Sequence, residues 1–249
     1  MELIELEIKT IEGFIISEKP YKESSKIINV ITKEYGVISL IAKGAKRLKS
    51  NLRSTTDIFT YANFEVNYKE DKLCNLIAAT PINSLSNIKK DIEKISYVNF
   101  ISELAKQVIK QSNNKNIYNI LIDSIIKIND GFDPMVITNI LELKYLDFLG
   151  VSPIFDRCAM CDSVNVVTLS SVKGGFVCKK HMDNDYLVNE KTIKIIRMLK
   201  YVDISKISKL DISYEVKKEI NDFINDYYDS YTGLYLKSKD FLKNIVKLK

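Results

Sequence analysis

The sequence predicts an α+β protein: a small barrel of five antiparallel strands, followed by an α-helical region that carries a compact cysteine–histidine insert. Three observations predict it. Residues 1 to about 80 hold short β-branched runs parted by turn signals. After Thr80-Pro81 the apolar residues recur at steps of three and four. Residues 152–188 then break the helical pattern with three of the 4 cysteines and the 1 histidine of the chain. The expected domains are 1–80 for the barrel and 81–249 for the helical region, with the insert at about 152–188.

The expected strands are 8–16, 26–32, 37–42, 58–68 and 73–79. In the fourth, Ile58, Ala62, Phe64, Val66 and Tyr68 fall on one face and Glu65 and Asn67 on the other. Glu34-Tyr35-Gly36 makes a tight link between strands two and three, and Lys69-Glu70-Asp71-Lys72 a polar turn between four and five. Five short strands suit an OB-fold, although a strand census alone does not separate it from an SH3-like barrel. Helical stripes follow: Ile88 to Val108, then 116–128. Asp133-Pro134 reads as an N-cap with proline at N1, and Leu149-Gly150 as the matching stop. Two more helices are expected at 190–201, capped by Asn189, and at 213–231. The bland reading of their aliphatic and aromatic stripes is packed core.

Composition sets limits. The chain has 249 residues, 46% hydrophobic and 28% charged, ordinary for a globular protein and unlike a disordered one. No run approaches the ~18 uncharged apolar residues of a membrane helix, and the first residues show no secretory signal. The expected location is cytoplasmic. Gly 8 and Pro 4 are few, and neither a P-loop nor a dinucleotide fingerprint is present. A single histidine nearly excludes multi-histidine catalysis. The net charge of +5 points only weakly to a polyanion, because basic residues include just Arg47, Arg53, Arg157 and Arg197 beside many lysines. Abundant Lys, Ile and Asn fit an AT-rich genome equally well. Clusters are more informative than the sum.

The sharpest cluster is Cys158-x2-Cys161, sixteen residues, then Cys178-x2-His181. Paired half-sites with short gaps are how zinc ribbons are assembled, since each tight turn aims two ligands at one metal. Gly174-Gly175 supplies backbone freedom ahead of Cys178. Three thiolates and an imidazole fill a tetrahedron, so the expected cofactor is one structural Zn2+ with no open position. A zinc deaminase needs H-x-E and P-C-x-x-C, whereas His181 is followed by Met182-Asp183 and Cys158 is preceded by Asp156-Arg157. Cys74 lies in the fifth strand and reads as a small buried hydrophobe.

The second cluster is Lys43, Lys46, Arg47, Lys49 and Arg53, eleven residues without an acid in the loop between strands three and four. Spaced cations beside a barrel face suit a phosphate backbone, and Tyr35, Phe59 and Tyr61 are candidate stacking surfaces. The plain alternative is a solvated face. A third group, Lys237, Lys239, Lys243, Lys247 and Lys249, reads as a helix face with a frayed tail.

In order along the chain stand Glu12-Gly13, Tyr21-x-Glu23-Ser24, Thr32-x-Glu34-x-Gly36 and Ala42-Lys43-Gly44-Ala45-Lys46-Arg47. Leu141 to Leu146 follow, then Leu149-Gly150-x-x-Pro153, Gly174-Gly175-x-x-Cys178 and Leu236-Lys237-Ser238. Together they resemble the bacterial DNA repair protein RecO family over most of the chain; in 84–130 only helical character agrees. The resemblance implies an OB-fold, a helical domain with a zinc motif, and a recombination mediator without turnover chemistry. It implies binding of single- and double-stranded DNA, annealing, contact with the C-terminal tail of single-strand DNA-binding protein, and work with RecR to load RecA. Two departures stand out: Ser25 where the family often has Asp, and His181 where it usually has Cys. The runner-up function is a zinc-containing transcription or RNA-binding factor. For the acidic tail, 141–149 with Lys144 and 193–201 with Lys194, Arg197 and Lys200 offer apolar residues beside cations.

Overall fold

The structure is a computed structural model that describes residues 7–70, 72–112, 114–183 and 185–247. It divides into two compact units, 1–122 and 123–249. The first unit is built on a closed barrel with strand order β1-β2-β3-β5-β4, β1 closing on β4. These are β1 (Glu7–Tyr21), β2 (Ser25–Thr32), β3 (Gly36–Ala42), β4 (Tyr61–Tyr68) and β5 (Cys74–Asn83). Pairing is antiparallel except between β3 and β5, the arrangement of an OB-like barrel. Ile15, Ile28, Val30, Leu40, Ala42, Phe64 and Val66 point inward and are buried. Each of these side chains other than that of Ala42 contributes about 1.5–3 kcal/mol relative to exposure.

Three boundaries differ from expectation for identifiable reasons. Strand β1 runs five residues past Ile16, because its first half pairs with β4 and its second with β2, bending at an irregularity between Ile15 and Ser17. Strand β4 starts only at Tyr61. Ile58 lies outside it and is exposed, while Phe59 turns inward at φ 62 and stacks on Phe14. Strand β5 continues through Pro81, which is tolerated beside the register shift at Tyr61 and Ala62.

Helix α1 (Leu52–Thr55) is a single turn in the β3–β4 connection, and α2 (Ser86–Lys89) another after β5. Helix α3 (Ile92–Gln111) starts where Asp91 accepts from the Glu93 and Lys94 N–H groups, and packs against β1 and β3. Helix α4 (Asn116–Asn129) follows. Its Tyr118 hydroxyl and that of Tyr61 both donate to the Glu12 carboxylate, at 3.2 and 2.7 Å, fixing helix to barrel.

The second unit is organised around α5 (Pro134–Phe148). Asp133 caps it by accepting from Met135 and Val136, Pro134 sits at its start, and Gly150 follows the stop at φ 72. Ten of its residues between Val136 and Leu146 are buried, around its full circumference. The stretch 141–149 therefore offers no groove: Leu141, Leu143 and Leu146 are sealed in the core. Helices α6 (Glu190–Tyr201) and α7 (Tyr214–Tyr231) pack on α5 and on each other, and α8 (Lys237–Lys247) ends the unit. Lys249 and the first six residues lie outside the described residues. The insert adds a two-stranded sheet, β6 (Val166–Ser170) and β7 (Gly175–Cys178).

Candidate metal centre and nucleic-acid interface

The metal half-sites come from two local turns. At the first, the Cys161 N–H reaches back to the Cys158 carbonyl at 3.3 Å, and the Cys158 N–H donates to Ser163 at 2.8 Å. At the second, β7 delivers Cys178, and a 3-10 turn, Lys179–His181, brings the imidazole round. The two are joined because the Ala159 N–H donates to the Phe176 carbonyl at 2.8 Å. Gly175 is decisive here. It sits at φ 147, and a Cβ on it would fall 2.2 Å from the Ile154 carbonyl oxygen. That closeness lets Phe176 N–H donate to Ile154 and Ile154 N–H donate to Gly174, both at 2.9 Å. The insert is then fastened to the helices by Arg197, whose Nε donates to the Phe155 carbonyl at 2.8 Å while its guanidinium covers the Phe176 ring.

All four ligand atoms lie within 4.8 Å of one another. Cys161 Sγ and Cys178 Sγ are 3.9 Å apart, His181 Nδ1 is 3.4 Å from Cys178 Sγ and 3.7 Å from Cys158 Sγ. Zinc–sulfur bonds of about 2.3 Å require tetrahedral edges of about 3.8 Å, so the spacing fits one zinc-sized ion. Burial resists ionisation of Cys158, but N–H donors from Cys178 and Met160 outweigh it, with help from the His181 and Cys178 side chains, and bring that thiol down to about 6. A Ser163 N–H favours the Cys161 thiolate, yet burial and the two neighbouring sulfurs hold this thiol above its usual value. The first proton leaves easily and the next resists, as expected where several thiols share one small volume.

Sequence reasoning missed Lys173. Its Nζ donates to the His181 carbonyl at 2.6 Å and pairs with Asp185 at 2.7 Å and Asp183 at 2.9 Å. The lysine thus holds the backbone of one ligand in place, the supporting role that outer-shell groups play at metal sites. Nothing in its spacing distinguished it from other lysines.

The basic loop lies in the first unit. Lys43, Lys46, Arg47, Lys49 and Arg53 are all exposed, and none takes an acidic partner among the described residues. Their loop is nevertheless pinned. Ala45 is buried in the barrel core, the Lys46 N–H donates to Ser24 at 2.9 Å, and the Gly44 N–H donates to Ser25 Oγ at 3.2 Å. Asp57 beyond the cluster is paired with Lys26 at 3.0 Å, so its charge is already met. Two of the three candidate stacking residues are not available. Phe59 is buried on Phe14, and Tyr61 is buried with its hydroxyl on Glu12. Tyr35 stays at the surface, 4.5 Å from the ring of Tyr68.

This fold and this cluster can be set beside known proteins. The N-terminal profile of Recombination protein O matches residues 6–85, and its C-terminal profile matches residues 89–240. The chain belongs to the RecO family. It is 34% identical to the DNA repair protein RecO of Halalkalibacterium halodurans over 94% of both chains. It is 33% identical to that of Bacillus cytotoxicus, covering 95% of this chain and 97% of the other. A RecO of Listeria monocytogenes serotype 4b shares 32% over 95% and 94%. The RecO profiles thus cover both the OB-like barrel and the helices with the Cys3His cluster, and place the chain in DNA repair and recombination. No helix among the described residues is long and apolar enough to cross a membrane.

Proposed function

We propose that this RecO-family protein is a recombination mediator that binds single- and double-stranded DNA, anneals complementary strands, and helps load RecA onto DNA coated by single-strand DNA-binding protein, with RecR as co-worker. It needs no turnover chemistry for this. The carrying observation is the pinned, acid-free loop of five exposed cations on an OB-like barrel. Pinning matters because phosphate contacts made by a pre-ordered loop cost less ordering entropy. The Cys3His cluster holds one structural zinc in this reading. When bound, the metal ties the two turns of the insert together, and the protein supplies all four ligands.

In this reading the acidic, apolar-ended tail of single-strand DNA-binding protein docks on the second unit. A groove of about 360 Å³ is lined by Val166, Val167, Leu187, Val188, Glu190, Ile193 and Lys194. Of the cations first considered beside it, Arg197 is committed to Phe155 and Lys200 is buried on Asp147, which leaves Lys194.

The test is salt dependence. Single-strand affinity should fall with a log–log slope of about −3 to −4 if the five loop cations meet phosphates. Lys46→Ala with Arg47→Ala should weaken binding for all sequences and flatten the slope by roughly one to two units. An unchanged slope would make the loop a solvated surface.

A further inference from the structure

The basic loop between β3 and β4 carries an apolar side chain that its five cations do not explain. Leu48 is 84% exposed. The loop's other apolar residues turn the opposite way: Ala45 is buried in the barrel core, and Leu52 packs against that core. Hydrogen bonds bracket Leu48 on both sides. The Lys46 N–H donates to Ser24 at 2.9 Å and the Arg47 N–H to Gly44 at 3.0 Å, while the Ser50 N–H donates back to Arg47 at 3.1 Å. Leu48 and Lys49 are thus the two central residues of a closed turn from Arg47 to Ser50. Beyond the turn, the Leu52 N–H donates to Ser50 Oγ at 3.3 Å.

Single apolar residues on a surface are common and mean nothing by themselves. Leu48 differs in its fixed turn and in its neighbours. Lys46 and Arg47 precede it and Lys49 follows, all three exposed and without an acidic partner among the described residues. An apolar protein surface closing over Leu48 would have to desolvate these cations as well. A nucleic acid meets them with phosphates and offers, within the same reach, the apolar faces of its bases. Leucine is among the side chains that DNA-bending proteins insert between base steps, where they unstack the bases and kink the duplex.

We propose that Leu48 is a wedge: with Lys46, Arg47 and Lys49 on phosphates, its side chain enters between neighbouring bases and opens the step. The proposal rests on the DNA-binding reading of this loop and adds a preferred class of substrate to it. Unstacking costs least where pairing is already broken, so the loop favours a mismatched duplex over a perfect one. Phosphate contacts alone carry no such preference.

The test is anisotropy of the full-length protein on two labelled 15-base-pair duplexes. One is perfect; the other has a central T·T mismatch beside 2-aminopurine, whose fluorescence rises when it unstacks. Wild type should bind the mismatched duplex about fivefold more tightly and raise its 2-aminopurine signal at saturation. Leu48→Ala should bind both duplexes alike and leave the signal at its unbound level. Its salt slope and melting temperature should match wild type, because the change removes neither a charge nor a buried contact. Leu48→Met, which keeps an apolar side chain of similar volume, should retain the preference and the signal. Lys46→Ala with Arg47→Ala should weaken binding to both duplexes. Leu48→Ala with wild-type preference and signal would overturn the wedge. So would a wild-type protein that binds both duplexes alike with no rise in signal; the phosphate reading of the loop survives either result. A wild-type protein that binds neither duplex would overturn the DNA-binding reading as well.

Discussion

Replacing Glu142 by Gln should make the second unit more stable at neutral and alkaline pH, and by an amount that depends on pH. Glu142 is 4% exposed on the all-round buried helix α5. Burial pushes its carboxyl from an ordinary 4.5 up to about 8; Lys239 opposes the rise and Asp229 adds to it. The folded state therefore holds this proton where the unfolded chain releases it. Below pH 4.5 both states are protonated and the residue costs nothing by this route. Between 4.5 and 8 stability falls as pH rises, and above 8 the loss is complete. At about 1.36 kcal/mol for each pH unit, the full loss is roughly 5 kcal/mol, of which roughly 3 is present at pH 7. Glutamine cannot ionise, so the variant lacks this slope. Urea unfolding of both proteins from pH 5 to 9 measures it: the difference should grow in favour of Glu142→Gln up to about pH 8 and level off above it. A difference that stays constant over that range would refute the assignment of a neutral, buried Glu142.

Other expectations are independent of this one. Gly175→Ala should cost about 3 kcal/mol, because its Cβ meets the Ile154 backbone at 2.2 Å, and should lower bound zinc measured by mass spectrometry; full zinc content with unchanged melting would contradict the close approach. Purified wild-type protein should carry about one zinc per chain, and Cys161→Ser should release it more readily to a chelator, with the barrel's own unfolding little affected. A peptide with the acidic, apolar-ended tail sequence should bind the full-length protein, and Ile193→Glu should weaken it about tenfold, by placing a carboxylate in the groove beside Lys194. Undiminished binding by that variant would move the tail elsewhere.

How much of this was legible in the sequence depended on distance along the chain. The Asp133-Pro134 start and Gly150 stop of α5 were readable because capping is settled within four residues. The Cys3His cluster was readable for the same reason, as two local turns. The length of β1 was not, since its extension past Ile16 depends on β2 pairing with a segment whose Glu18-Lys19-Pro20 has no strand pattern of its own. Alternation placed Phe64 and Val66 inside correctly but could not reveal that Phe59 turns inward at positive φ. Leu141 to Leu149 offers apolar residues beside Lys144 in the sequence, yet Leu141, Leu143, Tyr145 and Leu146 are buried, because α6 and α7 both pack against α5.

In the proposed function the protein brings complementary strands together while they carry their single-strand DNA-binding protein. Its most direct measurement is the annealing rate of two labelled complementary oligonucleotides, each saturated with that protein, followed by energy transfer. The full-length chain should accelerate annealing of the coated strands, and Lys46→Ala with Arg47→Ala should remove most of the acceleration while zinc content stays at one per chain. No acceleration of coated strands by wild-type, zinc-loaded protein would contradict a mediator function.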